Sequence, residues 1–237
     1  KPNFEEGGKL AMFRSVFEGF ETFLFVPSTT SKSGVHIHDY IDSKRTMTVV
    51  IIALLPALLF GMYNVGYQHN LAIGADPGFL MTFIFGFLAV LPKIIVSYVV
   101  GLGIEFAVAQ VKKEEIQEGF LVSGLLIPMI MPVEAPLWMV ALSTAFAVII
   151  GKEIFGGTGM NIWNPALLAR AFFFFSYPSM ISGDKVWIAG DTADAISQAT
   201  PLAQMALGQP LTYSTADMFW GFIPGSVGET SAFCILI

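Results

Sequence analysis

Charged side chains are scarce in this sequence: they make up 13% of its 237 residues, whereas hydrophobic residues make up 54%. A soluble domain normally carries about a quarter charged residues, so too little charge is present here to cover the surface of one. Basic residues are the minority, with 12 lysines and arginines against 18 acidic residues, which leaves a net charge of −6. This balance argues against a nucleic-acid-binding protein, which normally presents a basic patch.

Cysteine is nearly absent as well. The single cysteine, Cys234, excludes a disulfide framework and a cysteine-rich zinc or iron–sulfur site within this chain alone. The sequence is instead rich in phenylalanine (22 residues), glycine (23) and methionine (11). Small residues allow helices to approach closely in lipid, so this composition predicts an all-α integral membrane protein.

Apolar runs predict five membrane segments, at residues 46–62, 79–111, 120–131, 137–150 and 164–177. The second would be about 50 Å long as one helix, against a hydrocarbon core of about 30 Å, so we expect it to tilt, kink at Pro92 or project. Lys93 is then expected to snorkel near the interface opposite Lys112. The last three runs are short and interrupted by proline or glycine, which is typical of broken helices that line a site inside a membrane protein.

The polar segments around these runs predict four regions. Residues 1–45 form a polar segment in which the apolar spacing over residues 10–25 indicates an amphipathic helix. Residues 46–177 form a first group of transmembrane helices, and residues 178–217 form an acidic loop. Residues 218–237 begin another apolar stretch, so we expect a longer protein.

Basic residues lie beside alternate ends of the predicted segments. If Lys44 and Arg45, before the first segment, are cytoplasmic, every other basic cluster also lies in the cytoplasm, as the positive-inside rule requires. The acidic loop 178–217 then lies outside. The clusters are formed by Lys44, Arg45, Lys112, Lys113 and Lys152.

A glycine-rich segment at residues 156–166 is the first candidate site. Its glycines let the backbone approach a ligand closely. Asn164 suits a helix N-cap and Pro165 the first helical position. Asn161 and Asn164 can read the edge of a flat heterocycle through amide donors and acceptors. A tight turn followed by a cap, without a ligand, explains the pattern equally well.

The outer loop contains a second candidate at residues 197–202. Small side chains at Ser197 and Ala199 leave the hydroxyl of Thr200 accessible, and such a hydroxyl can carry a phosphoester. The alternative is a simple turn before Pro201, which the pattern alone favours.

Ionisable residues inside apolar runs form a third group. Glu105 and Arg170 are functional candidates because charge inside a membrane is costly, with a structural ion pair or snorkelling as the alternative. Gly101 and Gly103 indicate either close helix packing or a slot for a flat quinone ring. The cluster of His36, His38 and Asp39 lacks a further ligand and is interpreted as a solvated loop, so we predict no metal site.

Nine short motifs occur along the chain, at residues 44–45, 61–64, 118–120, 152–159, 161–166, 177–178, 181–184, 197–202 and 223–229. They include Lys-Glu-Ile-Phe-Gly-Gly-Thr-Gly at 152–159 and Asn-Ile-Trp-Asn-Pro-Ala at 161–166. In this order they resemble the B-subunit family of the bacterial Na⁺-translocating NADH:quinone oxidoreductases, over nearly the whole chain. The related D-subunit of the Rnf electron-transport complex shares the fold and the flavin-attachment motif, but the polar N-terminal segment fits the B-subunit family better.

The resemblance implies a urea-transporter-like fold of two inverted five-helix repeats, of which this chain holds the first and the start of the second. It also implies two flavins. FMN is attached through its phosphate to Thr200 of the motif that contains Ser197 and Ala199, with Gln198 where the family usually has glycine. Riboflavin is bound non-covalently near Asn161, Asn164 and Ser123.

The same resemblance implies a ubiquinone region at Gly101 and Leu102, the second of which is usually glycine in the family. Glu105 corresponds to an acid linked to Na⁺ uptake. Electrons would pass from FMN to riboflavin to ubiquinone, coupled to Na⁺ translocation across the bacterial inner membrane. The implied partners are further subunits, including an NADH-oxidising flavin and iron–sulfur subunit and a second subunit with covalent FMN.

Other functions remain open from the sequence. An Rnf-type subunit would exchange electrons with other donors and need not use quinone. A small-solute channel on the same scaffold would bind no flavin and would conduct solute in liposomes. A purely structural membrane scaffold would do neither.

Overall fold

The computed structural model describes residues 17, 21–22, 24–25, 33–35, 41, 43–112, 119–181, 187–190 and 200–237. These residues form helices and no strand, which confirms the all-α prediction for this part of the chain. The helices are α1 (Ser43–Ile73), α2 (Phe79–Lys112), α3 (Phe120–Ile130), α4 (Leu137–Gly151), α5 (Pro165–Ser176), α6 (Pro178–Ile181), α7 (Pro201–Ala206), α8 (Thr215–Trp220) and α9 (Ala232–Leu236), with a 3-10 turn at Glu153–Phe155. The inverted repeat stays a prediction.

Three segments of the described chain are long and apolar enough to cross a membrane: Ser43–Ile73, Phe79–Lys112 and Leu137–Phe155. Large apolar side chains stay exposed along the two longest helices, as at Ile52 and Val99, which suits a surface that faces lipid. The fold is thus consistent with a multi-pass membrane protein. The apolar helices α3 and α5 are only about 16 and 18 Å long, so neither crosses a 30 Å core alone.

Helix α1 continues to Ile73, well beyond residue 62, where the first predicted membrane segment ends. Polar side chains beyond residue 62 are buried and bonded within the protein, so they do not end the helix. The Asn64 amide donates to the Ile223 carbonyl oxygen at 2.9 Å, and the Asn70 amide donates to the Thr82 hydroxyl at 2.8 Å. Helix α2 likewise runs unbroken through Pro92.

Helices α1 and α2 are antiparallel and their backbones almost touch. A Cβ atom at Gly66 would lie 1.9 Å from the carbonyl oxygen of Thr82, and one at Gly86 would lie 1.7 Å from that of Met62. Only glycine fits at such crossings, because any side chain would force the helices apart.

A second layer forms where α3, α4 and α5 pack on the later half of α2. The core of this layer includes Phe120, Val140, Ala147 and Phe173, each fully buried. Helix α5 is antiparallel to α4, so that its residue Leu168 lies against Gly151. The short helices therefore bury their apolar faces against one another and against α2.

The C-terminal part of the described chain returns to this bundle. The loop between α8 and α9 packs on α1 and α3: the Gly228 N–H donates to the Met129 carbonyl oxygen at 2.9 Å, and Val227 is buried against Gly61. Residues 218–237 thus form part of the same packed unit as the first group of helices.

The antiparallel packing places the start of α1, the end of α2, the end of α4 and the start of α5 together, and we call this the proximal end. Lys44, Lys112 and Lys152 all lie there, as the sign pattern of the sequence predicts. The predicted amphipathic helix at residues 10–25 and the cluster of His36, His38 and Asp39 lie largely or wholly outside the described residues.

We expect Gly86→Ala to destabilise the protein by roughly 1–3 kcal/mol, because the added methyl group must push the backbone of α1 away from α2. The measurement is thermal unfolding of the purified protein in detergent. Gly103→Ala is the matched control on the same helix, since no atom lies within 4 Å of its added Cβ. Equal unfolding temperatures for the two variants would contradict the packing argument.

Candidate functional site

The proximal end brings together four elements that are far apart in the sequence. The loop at 152–164 lies against the start of α3, where a Cβ at Gly119 would meet the Thr158 side chain at 2.4 Å. The start of α3 is also fixed to α2, because the Tyr98 hydroxyl donates to the Leu121 carbonyl oxygen at 2.6 Å. Phe155 contacts Trp163 edge to face, with ring centroids 5.5 Å apart, which closes the loop on itself before α5 begins.

A buried ion pair lies at the centre of this end. The Lys152 ammonium donates to Oε1 of Glu105, and both side chains are only 3% exposed. Oε2 of Glu105 is buried and has no hydrogen-bond partner among the described residues. Lys112 and Glu153 form a second, more exposed pair with a separation of 3.5 Å. Glu105 is therefore part of a buried ion pair, and its link to Na⁺ stays a prediction.

Lys152 lies in a different environment from the one that the sequence predicted. It was interpreted as one of the basic residues that mark a cytoplasmic helix end, whereas its side chain is buried against Glu105. The correction has a physical reason: a carboxylate inside a membrane protein needs a nearby cation. The predicted topology already places both residues at the same end, and that signal was sufficient to suggest the pair.

Gly101 permits close packing and leaves no slot beside it in this structure. A Cβ at this position would lie 1.9 Å from Cζ of Phe120, so the Phe120 ring covers the glycine. Leu102 packs on the edge of the same core, and Gly103 faces open space. The packing alternative describes Gly101 here, and the quinone role of Gly101 and Leu102 stays a prediction.

The glycine-rich loop is built by left-handed backbone and by its two asparagines. Gly156, Gly157 and Gly159 have φ angles of 110°, 98° and 88°, which other residues adopt only with strain. The Asn161 side chain accepts from the Gly159 N–H at 3.2 Å and donates to the Trp163 carbonyl oxygen at 2.8 Å.

Asn164 caps helix α5, as predicted. Its side-chain oxygen accepts from the N–H groups of Ala166 and Leu167 at 2.9 and 3.3 Å, and Pro165 follows at the first helical position. Among the described residues only the side-chain oxygen of this exposed amide makes hydrogen bonds, so its two N–H donors are available. Ser123 lies one turn into α3, partly buried. Exposed amide donors of this kind can bind a flat heterocycle that carries carbonyl acceptors.

Thr200 follows the proximal-end elements in the sequence and is the N-cap of the short helix α7. Its hydroxyl oxygen accepts from the Ala203 N–H at 3.2 Å, and the residue is half-buried. A partly exposed hydroxyl oxygen of this kind is compatible with a phosphoester. Ser197, Gln198 and Ala199 lie outside the described residues.

Asp217, in the segment after Thr200, has a carboxylate that is stabilised by hydrogen bonds. Asp217 accepts hydrogen bonds from the hydroxyl and the backbone N–H of Ser214, at 2.6 and 3.0 Å, in a reciprocal cap of helix α8. These bonds lower the pKa of the Asp217 carboxyl below its ordinary value, so it is ionised at neutral pH.

Arg170 and Lys93, two basic residues within the apolar runs, have contacts that the sequence did not predict. The Arg170 guanidinium lies 5.5 Å from the ring centroid of Trp187, a cation–π contact that was not among the alternatives considered. Lys93 does not snorkel: it is buried, and its ammonium donates to the Ala89 carbonyl oxygen at 3.1 Å. It lines a groove of about 560 Å³ together with Glu134, at the turn between α3 and α4.

The long apolar helices, with the buried Glu105–Lys152 pair at one end of the bundle, are consistent with a multi-pass membrane protein. A model of the NQR2, RnfD, RnfE family matches residues 30–237, and the chain belongs to that family.

Curated relatives narrow the similarity further. The chain is 43% identical to the Na(+)-translocating NADH-quinone reductase B-subunit of Chromohalobacter salexigens, over 100% of this chain and 63% of the relative. It is 41% and 40% identical to the B-subunits of the same reductase from Pseudoalteromonas atlantica and Klebsiella pneumoniae, again over 100% of this chain and over 65% and 66% of those proteins. The chain thus spans just under two thirds of the length of these relatives.

We expect Asn164→Ala to cost about 0.5–2 kcal/mol of stability, because two N–H groups at the start of α5 lose their acceptor. Asn164→Ser should retain most of that stability, since a serine hydroxyl caps a helix equally well. Thermal unfolding in detergent measures both. A serine variant as unstable as the alanine variant would argue against the cap as the local role of Asn164.

Proposed function

We propose that this chain is the flavin- and quinone-binding membrane subunit, equivalent to the B-subunit, of a Na⁺-translocating NADH:quinone oxidoreductase. The observation that carries the proposal is the similarity at 40–43% identity to curated B-subunit proteins over the whole of this chain. Electrons enter through partner subunits, one with flavin and an iron–sulfur centre that oxidises NADH and one with a second covalent FMN. The chain resides in the bacterial inner membrane as part of that complex.

Thr200 is the proposed attachment point for FMN through a phosphoester at its hydroxyl oxygen. The described environment supports this assignment, because Thr200 is partly exposed and lies at the start of a helix rather than within the packed core. Ser197 and Ala199 precede it in the attachment motif.

Asn161, Asn164 and Ser123 are the proposed riboflavin contacts. Support comes from the packing of the glycine-rich loop on the start of α3, which brings these three residues to one end of the bundle. The flavins supply the electron-transfer chemistry when bound, and the chain holds them in place. Asn164 would donate its available amide hydrogens to carbonyl oxygens of the ring system.

Gly101 and Leu102 are the proposed ubiquinone contacts, and Glu105 is the proposed Na⁺-linked acid. All three lie close together along α2 at the proximal end. Because the ring of Phe120 covers Gly101, a quinone can contact this glycine only if that ring turns away.

The proposed orientation places the proximal end in the cytoplasm and residues 178–217 outside. The positions of Lys44 and Lys112 at one end support it, since basic residues mark the cytoplasmic side. The position of residues 187–190, which belong to the loop 178–217, also supports this orientation. They lie at the opposite end, where the Gly190 N–H donates to Glu134 at 2.9 Å and a ring nitrogen of His69 lies 2.5 Å from the Ala189 carbonyl oxygen.

An Rnf-type role is the competing function, because the family model also covers RnfD and RnfE. The names of the relatives above favour the quinone-reducing complex. Quinone reductase activity of the purified complex separates the two. Solute flux into liposomes in the absence of flavin would instead indicate a channel.

We expect a denaturing gel of the native protein to show a fluorescent flavin band that Thr200→Val abolishes, because valine has no oxygen to esterify. The protein is expressed with its flavin transferase and its partner subunits. Thr215→Val is the matched control, an exposed threonine at the start of the neighbouring helix α8. Retention of the fluorescent band in Thr200→Val would refute Thr200 as the anchor.

The riboflavin contact is tested with Asn164→Ser, which keeps the helix cap and removes the amide donors. We expect the purified complex to lose acid-extractable riboflavin while its covalent flavin and its thermal stability stay near the native values. Full riboflavin content in this variant would show that the Asn164 amide makes no essential contact.

A further inference from the structure

The Glu105–Lys152 pair is built more like an exchange site than a simple structural bridge. Both charges are removed from solvent, which is costly unless every polar atom is satisfied. Only Oε1 of Glu105 is paired, and Oε2 is buried without a partner among the described residues. The carboxylate therefore has an oxygen available to a second cation.

Lys152 also connects this carboxylate to the glycine-rich loop. Its own N–H closes the last turn of α4 on Val148 at 3.2 Å. Its carbonyl oxygen accepts from the N–H groups of Phe155 and Gly157 at 3.2 and 3.1 Å, so the main chain of Lys152 sets the start of the loop that carries Asn161 and Asn164. A movement of the Lys152 main chain would therefore be transmitted to the loop.

We propose that Lys152 is the internal counter-cation of Glu105, and that Na⁺ taken up at Glu105 replaces the lysine ammonium. This inference rests on the proposed function, since it assumes that Glu105 is the Na⁺-linked acid. The exchange substitutes one positive charge for another, so the buried carboxylate is never left unpaired. A small hard cation prefers oxygen ligands, which the two carboxylate oxygens supply.

The displaced ammonium has a nearby carboxylate to approach. Glu153 directly follows Lys152 and is paired with the more exposed Lys112, at 3.5 Å. The four-carbon stem of lysine is flexible enough to change partners. The two arrangements of Lys152 then form a two-state element, one favoured without Na⁺ and the other with it.

The linkage between the two sites is reciprocal. If Na⁺ at Glu105 shifts the loop through Lys152, it changes the affinity for a ligand bound at Asn161 and Asn164. That ligand then changes the Na⁺ affinity by the same factor. The ion pair is thereby the physical connection between flavin contacts on one side and cation uptake on the other. Lys152 is a positioning residue in this scheme, because it touches neither flavin nor quinone.

The test measures quinone reduction by the whole purified complex as a function of Na⁺ concentration. Lys152→Met removes the competing ammonium, so we expect the half-saturating Na⁺ concentration to fall about fivefold or more. Lys93→Met is the matched control: it removes a second buried lysine, from the same helix as Glu105 but away from the proximal end, and should leave the Na⁺ dependence unchanged. The reciprocal linkage also predicts that Na⁺ shifts the riboflavin potential of the native complex, and this shift should shrink in Lys152→Met but not in Lys93→Met.

An assembled Lys152→Met complex with an unchanged or higher half-saturating Na⁺ concentration would overturn the inference. If this variant fails to assemble, Lys152→Arg decides. Its planar guanidinium holds a carboxylate by two hydrogen bonds, so Na⁺ should compete less well and the half-saturating concentration should rise; no change would overturn the inference. If quinone reduction by the native complex does not depend on Na⁺, the proposed function itself is refuted. If it depends on Na⁺ and Lys152→Met has the same half-saturating Na⁺ concentration as the native complex, only the exchange is refuted.

Discussion

The close approach of α1 and α2 is the constraint on which the rest of the structure depends. At Gly66 and Gly86 the two backbones meet without an intervening side chain, so the long helices form one rigid antiparallel pair. The later half of α2 then offers a fixed surface on which the short helices α3, α4 and α5 bury their apolar faces. In lipid no hydrophobic effect drives helices together, and close packing of this kind supplies the attraction instead.

Buried polar groups follow the same logic. The scaffold is apolar on the outside, so each polar side chain inside it must find a partner within the protein. Asn64 and Asn70 find backbone or hydroxyl partners and allow α1 to continue past its apolar segment. Glu105 finds Lys152, and in doing so it ties α2 to the end of α4. The residues that disrupt the apolar pattern are therefore also those that connect the elements.

The candidate site could be predicted in part. The cap at Asn164 and the first-turn Pro165 are local signals, which depend on the backbone within three residues, and the structure confirms them. The cover of Phe120 over Gly101 was not predicted, because it depends on how α3 packs on α2. The cation–π contact of Arg170 was missed for the same reason, since its partner Trp187 lies in a different segment. Thr200 was predicted from its motif and its role as a flavin anchor stays a prediction, whereas the structure shows it as the N-cap of α7.

By itself the sequence determined the class of protein, because composition and hydropathy decide whether a chain can meet water or lipid. It also determined the apolar parts of helices α1 to α5 and the end of the bundle that carries Lys44, Lys112 and Lys152. Only the tertiary structure decided that Lys152 is buried against Glu105, and that the predicted quinone slot at Gly101 is filled by an aromatic ring. The physical reason is the range of the interactions: helix propensity and hydropathy act over a few neighbouring residues, whereas the partner of a buried charge is chosen by packing between residues 47 positions apart.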